Sequence, residues 1–289
     1  DFEAIDGDAC LRHILGVDDL FDYELISREN WIGRRLLADR FRDRHAFVCG
    51  DAAHIWAPFA GYGMNAGIAD ATNLAWMLAG VIAGWADPAI LAAHEAERWP
   101  ITEQVSKYAM GTALALARAR AEVPVDIEAA GPAGDAVRAT LGRQLLDMHT
   151  PQFCCGGLNF GSFYDRSPIV AYDGEAAPAY TMDSFTPSTV PGCRTPHLWL
   201  EDGRSLYDAV GPGFTLLRFD RATEVTGLVE AAALRGVPLA VLDLAPQPPY
   251  REKLVLSRPD QHVAWRGDAL PADPLRLIDL VRGTGPASA

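Results

Sequence analysis

The stretch Gly50–Gly67, GDAAHIWAPFAGYGMNAG, decides the reading of this chain. Ahead of it, Ala46-Phe47-Val48-Cys49 is a short apolar run that fits a buried strand opening onto a loop. Behind it, Ile68, Ala71, Leu74 or Ala75, Leu78 and Val81 or Ile82 recur at three and four residues, which predicts a helix over 64–83 with Gly84 as its C-cap. The connection between them carries glycines, one proline and a lone Asp51 at the strand end. The first turn of the helix, around Met64, Asn65 and Ala66, leaves backbone N–H groups unpaired, and such a terminus attracts an electron-rich ligand. Gly61 and Gly63 remove side chains where backbone can lie flat against a ring, and Asp51 can accept hydrogen bonds from hydroxyls. A planar, polyhydroxylated cofactor satisfies all three features. A glycine-rich strand-to-helix turn with Asp51 as a cap satisfies them too.

Outward from this core, residues 23–32 (YELISRENWI) are rich in β-formers and predict a strand or hairpin, followed by a polar Arg-rich connection. Asp87-Pro88 reads as N-cap and first residue of a second helix, which Pro100 should kink or end. Helical pattern resumes over 101–121, breaks at 131–134 and returns over 135–148. Between Thr150 and Pro191 the composition turns to Gly, Pro, Ser, Thr and aromatics, as in a long connection. Beyond it the pattern is strand (197–200), turn at Asp202-Gly203, strand (214–219), helix (222–235) and strand (239–244). Two further strands (253–257 and 262–266) and a last helix (274–281) complete a compact α/β unit.

Composition narrows the function. The chain has 289 residues, 49% of them hydrophobic and 22% charged, with a net charge of −13. That apolar fraction excludes a disordered or fibrous protein, and a net negative field disfavours nucleic acid. No stretch approaches the roughly 20 apolar residues of a membrane span, and the acidic start is unlike a secretory leader. Cys10, Cys49, Cys154, Cys155 and Cys193 are odd in number and show no C-x-x-C spacing. They point to a reducing, cytoplasmic setting and to neither zinc nor a disulfide scaffold. The chain starts on Asp1 without an initiator Met, as expected of a piece of a longer protein.

Gly50-Asp51-Ala52-Ala53-His54, Pro58, Gly61-x-Gly63-x-Asn65 and Gly67-Ile68-x-Asp70-Ala71-x-Asn73-Leu74-Ala75-Trp76-x-Leu78-Ala79 together resemble the second FAD motif of the class A flavoprotein aromatic hydroxylases. The likeness continues in Glu95-x-Glu97-Arg98-x-Pro100. It returns in Pro191-Gly192-x-Arg194-x-Pro196-His197, Asp202-Gly203-x-Ser205-Leu206-Tyr207-Asp208 and Arg258-Pro259-Asp260-x-x-Val263-Ala264-Trp265-Arg266, which resemble the thioredoxin-like domain of the phenol hydroxylase and polyketide hydroxylase branch.

The resemblance implies an α/β fold: a partial FAD-binding domain of strand, Gly-rich loop and long helices, then a thioredoxin-like α/β domain. Residues 1–45 would be a remnant of the substrate-binding sheet and its connection, 46–150 the C-terminal part of the FAD-binding domain, 151–185 an interdomain connection and 186–289 the thioredoxin-like domain. It implies cofactor contacts at Gly50, Asp51, Pro58, Gly61, Gly63, Met64 and Asn65. Asp51 would hold the ribityl or pyrophosphate end of FAD, the Pro58 carbonyl would lie near the flavin C4a, and backbone from Gly63 to Asn65 would face the pyrimidine edge. Trp31, Ala57 and Phe59 are weaker, substrate-adjacent candidates. The implied activity is NADH- or NADPH-driven hydroxylation of a phenolic or polyketide ring by O2 through a flavin C4a-hydroperoxide.

The chain departs from the family at Ala57-Pro58-Phe59-Ala60-Gly61, where Phe59 and Tyr62 add bulk beside the flavin. It contains no G-x-G-x-x-G fingerprint and no Asp-Gly motif of the family type, so it resembles the C-terminal half to two-thirds of such an enzyme. Completed by an N-terminal half it is expected to act as a monooxygenase; alone it is expected to be inactive. The alternatives are a non-enzymatic interaction or assembly module that has lost FAD, or a flavin enzyme of different chemistry. No catalytic acid or base and no metal ligand is assigned. His54 reads as a packing or hydrogen-bonded residue, Cys154-Cys155 as a packed turn, and Arg34, Arg35, Arg40, Arg42 and Arg44, interspersed with Asp39 and Asp43, as a solvated face. The C-terminal domain lacks the thiolate pair of a disulfide exchanger and would serve packing or homodimer contacts.

Overall fold

The computed structural model describes residues 4–285, which divide into two compact units, the first ending at Arg34 and the second starting at Arg35. Among the described residues, the first unit holds the α-helix α1 (Gly7–Leu15). Asp6 caps it by accepting a hydrogen bond from the Ala9 N–H at 3.1 Å, Asp8 and Arg12 pair one turn apart, and the left-handed Gly16 ends it. The strand or hairpin expected over 23–32 is not formed; that segment has no regular structure. Its β-forming side chains find no partner strand to make a ladder, and β propensity without cross-strand neighbours does not hold a strand. Trp31 lies here, 65% exposed.

The second unit opens with short ladders. Strand β1 (Leu36–Leu37) pairs with β4 (His54–Ile55), and β2 (Arg42–Asp43) pairs with β3 (Ala46–Phe47), both antiparallel. Glu95 accepts hydrogen bonds from the Phe41 and Arg42 N–H groups, fastening this hairpin to the helices. Helix α2 (Tyr62–Ile82) occupies the predicted place. Asp87 accepts from the Ala89 N–H, and a 3-10 turn over Pro88–Leu91 leads into α3 (Ala92–Ala121).

Pro100 neither ends nor interrupts α3. It forfeits one hydrogen bond to the carbonyl four residues back, but buried Ala93, His94, Glu97, Arg98, Thr102 and Val105 on both sides anchor the helix by packing. The break expected at 131–134 is instead the start of α4 (Gly131–Phe153), where Pro132 sits in the first turn and needs no N–H partner. A short α5 (Gly156–Phe160) follows.

After an irregular segment come α6 (Leu206–Ala209), β5 (Phe214–Arg218), α7 (Thr226–Arg235), β6 (Leu239–Asp243), β7 (Leu254–Ser257), β8 (Val263–Gly267) and α8 (Pro274–Val281). The sheet order is β6-β5-β7-β8, with β5 parallel to β6 and the other two pairings antiparallel. A βαβ unit followed by a hairpin and a helix is the thioredoxin-like arrangement. The expected strand at 197–200 is reduced to a single bridge, Trp199 to Ser205.

The expected boundary at 185/186 does not coincide with a break in the core. Leu74, Trp76 and Met77 of α2 pack with Phe214 and Leu216 of β5, Leu254 and Leu256 of β7, Leu228 of α7 and Leu277 of α8 in one cluster. Leu217, Phe219, Val255 and Val263 form a second cluster with Leu198, Leu206 and Tyr250. The central strands β5 and β7 are thus covered on both sides, which their continuous apolar runs require. Each large side chain so buried contributes about 1.5–3 kcal/mol, enough for a handful of them to hold α2 against the sheet.

Candidate cofactor site

The loop after β3 is built by glycine. Gly50 is left-handed at φ +56°, and a Cβ on Gly67 would stand 3.2 Å from the Gly50 Cα, so loop and helix meet backbone to backbone. Gly50, Asp51 and Ala52 form a 3-10 turn that leaves Asp51 exposed. At the far end Gly61, left-handed at φ +70°, precedes α2 without any side-chain cap, so the first amides of the helix lack the usual partner. Nothing lies within 4 Å of where a Cβ would stand on Gly61 or Gly63, and Met64 is 73% exposed. Asn65 is exposed as well, with its side-chain amide donating to the Gly61 carbonyl at 3.0 Å.

Gly50, Asp51, Pro58, Gly61, Gly63, Met64 and Asn65 therefore belong to one continuous segment in which most are exposed and Gly50 and Gly63 are half-buried. The uncapped helix terminus and the open space beside two glycines fit one edge of a planar ring, and the exposed Asp51 carboxylate is free to accept from hydroxyls. Ala57 is buried and Phe59 half-buried, whereas Trp31 belongs to the first unit. Tyr62 departs from expectation: it turns inward, donates to the Gln152 carbonyl at 2.6 Å and packs near Tyr108. Burial raises its pKa, so it is a neutral structural phenol.

Beneath the loop lies a buried polar layer. His54 Nε2 stands 2.7 Å from Asp70 Oδ2, Arg98 Nε donates to Asp70 Oδ1 at 2.8 Å, and the Gly50 N–H donates to the same carboxylate at 3.1 Å. Burial pushes the Asp70 carboxyl up, but His54, Arg98 and Gly50 together outweigh it and leave it below its ordinary value. Asp70 thus holds the left-handed start of the loop in place. Trp56 stacks on His54 with centroids 5.0 Å apart. His54 is a buried, hydrogen-bonded residue, as its position after a strand end suggests.

A second buried set joins α2 and α3 to the C-terminal sheet. Arg258, 1% exposed, donates to Glu97 Oε2 at 2.8 Å and to Asp260 Oδ2 at 2.6 Å, while lying over the rings of Trp76 and Tyr164, each 5.2 Å away. Asn73 donates to Glu97 at 2.6 Å, and its carbonyl meets His94 Nδ1 at 3.0 Å. Burial would raise Asp260, but Arg258 and then His262 reverse the sign and hold it well below the carboxylate range. Burial also lowers His94 and keeps it neutral. Asp70, Asn73, Glu97, Arg98 and Asp260 lie within the motifs quoted above, yet spacing carries no sign that they join into two networks, because their partners are up to 187 positions apart.

Among the described residues the five cysteines are free and no cluster of three or more His, Cys, Asp or Glu side chains could hold a metal. Within the Arg run, Arg40 pairs with Asp43 and Arg42 donates to the Arg44 carbonyl, whereas Arg35 reaches Ser106 on α3.

Residues 7–109 match the FAD binding domain family, and residues 188–282 match the family described as aromatic-ring hydroxylase, C-terminal. The chain belongs to the FAD-dependent aromatic-ring hydroxylases. Within this hydroxylase family it is 35% identical to the FAD-dependent monooxygenase apdD of Emericella nidulans, over 86% of this chain and 42% of that protein. It is 31% identical to phenol 2-monooxygenase of a Pseudomonas species, over 94% of this chain and 51% of that protein. The rebeccamycin biosynthetic enzyme RebC with reduced flavin superposes with a TM-score of 0.83 at 35% identity, over 98% of this chain and 53% of RebC. The hydroxylase-family chain spans about half the length of the relatives it matches. No described helix is long and apolar enough to cross a membrane.

Proposed function

We propose that this chain supplies the isoalloxazine-facing part of an FAD-dependent monooxygenase that hydroxylates a phenolic or polyketide aromatic ring with NADH or NADPH and O2. The observation that carries this reading is the uncapped N-terminus of α2 beside an open, glycine-lined surface, with Asp51 exposed in the same loop. Relatives named as phenol and polyketide hydroxylases supply the substrate class.

FAD, when bound, supplies the redox and oxygen-activating chemistry. The chain's own residues hold and orient it. Asp51 accepts hydrogen bonds from cofactor hydroxyls; Gly61 and Gly63 let the backbone approach the ring; the amides around Met64 and Asn65 favour negative charge at the ring's edge. Phe59 and Pro58 exclude water on the loop side. The pyrophosphate needs donors that a G-x-G-x-x-G segment provides, and none is present in this sequence. The reading therefore includes a second polypeptide segment, the N-terminal half in the relatives' layout, that completes the site.

The test is flavin retention and NAD(P)H oxidation by the product of the native gene. It is expected to be yellow, to oxidise NAD(P)H faster with a phenol present, and to release a hydroxylated product. Asp51→Ala should weaken FAD binding about tenfold, the loss of one or two hydrogen bonds. A native product that retains no flavin overturns the reading and favours a non-enzymatic module.

A further inference from the structure

A cavity of about 600 Å3 lies in the C-terminal half and shares no residue with the Gly50–Gly67 loop. Two of the sequence motifs converge on it: Arg194, Pro196 and His197 from one, Ser205 and Tyr207 from the other, facing Phe160, Tyr180 and Phe185 from the preceding segment. Aromatic rings and prolines make up most of its wall, and the volume is in the range of small-molecule sites.

Its charge is unusual for this molecule. The lining holds one guanidinium and no carboxylate. Among the described residues from 191 onward, the other arginines that are buried or half-buried all pair with carboxylates: Arg218 with Asp243, Arg235 and Arg282 with Asp279, Arg258 with Glu97 and Asp260, Arg266 with Asp173 and Glu175. Arg194 pairs with none. It is held instead by neutral partners, donating to Gln261 Oε1 at 2.8 Å and to the Tyr207 hydroxyl at 3.3 Å. Its guanidinium lies over Phe160 and Tyr207, 5.4 and 5.0 Å from the ring centroids. A guanidinium carries five N–H donors, so these two bonds leave donors available in a fixed orientation against a partly desolvated wall. In a chain of net charge −13, such a cation is a recognition element for an anion.

We propose that this cavity is a second ligand site, taking a planar aromatic carboxylate of two or three rings. The rings lie against Phe185, Tyr180 and the prolines, and the carboxylate meets the free edge of Arg194. Cys193 also lines the cavity; burial raises its thiol to about 11, so the site binds without thiolate chemistry.

The test is calorimetric titration of the full chain, with no flavin added, using 2-naphthoate and its neutral counterpart 2-naphthalenemethanol. One-site binding of the naphthoate is expected, at least tenfold tighter than the alcohol. Arg194→Gln should abolish that preference while the alcohol still binds. Thr186→Trp, at an exposed lining position, should fill the cavity and remove both, which keeps the test decisive if the Arg194 variant fails to fold. Absence of naphthoate binding, an unchanged preference in Arg194→Gln, or unchanged binding in Thr186→Trp overturns the proposal. Because flavin is omitted, the result is independent of the monooxygenase reading.

Discussion

Helix α2 sets two chemistries side by side. Its first turn, with Gly63, Met64 and Asn65, is uncapped and open. Its middle, with Asp70, Asn73 and Trp76, is buried, and the Asp70 carboxylate and Asn73 amide are bonded to partners on other elements. Each region carries an asparagine, Asn65 and Asn73, whose roles residue type alone does not separate. The difference is where the hydrogen bonds go. In the middle they are spent within the protein, which makes that layer structural. At the N-terminus backbone donors remain available, which makes it the place where a ligand can add interactions.

The sharpest way to break this contrast is to leave the buried layer unsatisfied. Arg258→Ala strands Glu97 and Asp260 in the interior and should destabilise the chain by about 3–5 kcal/mol, read as a lowered midpoint in urea denaturation. A loss under about 1 kcal/mol would mean that the layer is wet and not structural.

Acid titration probes the same layer without mutation. His94 is held below its ordinary 6.5, so the unfolded chain takes up more protons as pH falls through that value, and stability is lost from about pH 6.5 downward. Asp70 and Asp260 are both held below 3.8, so their contribution is complete above that pH and a second, steeper loss follows below it. Urea midpoints measured from pH 8 to 3 should show both steps. A flat profile down to pH 4 would remove His94 from the account.

Gly50→Ala tests the seam between the regions. A side chain at φ +56° costs about 1–2 kcal/mol, and the loop held by Asp70 should lose flavin affinity together with stability. The smallest effect is expected at the open end. Met64→Ser should change stability by less than about 0.5 kcal/mol, since the side chain is mostly exposed, while FAD affinity falls. Equal and large losses of stability at Met64 and Arg258 would erase the distinction.

Much of this was legible in sequence, and for identifiable reasons. The periodicity of Ile68 to Val81 located α2 to within two residues at its start, but of the positions read only Leu74 is buried, and the buried face runs through Ala66, Asp70, Asn73, Leu74, Met77 and Gly80. Helix α8 stands at the bounds read from sequence, and the structure adds its cap, the Asp273 carboxylate accepting from the Arg276 N–H. The misses have equally local causes. Residues 23–32 carry β-forming side chains but no partner strand, α1 spans only nine residues, and packing on both sides carries α3 through Pro100.

The sequence by itself determined the family and singled out the segment proposed to face a cofactor, because the Gly-rich strand-to-helix connection and its spacing are contiguous in the chain. Only the tertiary structure decided that Asp70 serves the loop from below, that Tyr62 turns away from it, that Arg258 locks α2 and α3 to the C-terminal sheet, and that Arg194 stands without a carboxylate in an aromatic cavity. Each of those depends on which charges meet across elements far apart in sequence. A one-dimensional pattern records residue type and spacing; pairing and burial exist only once the chain is folded.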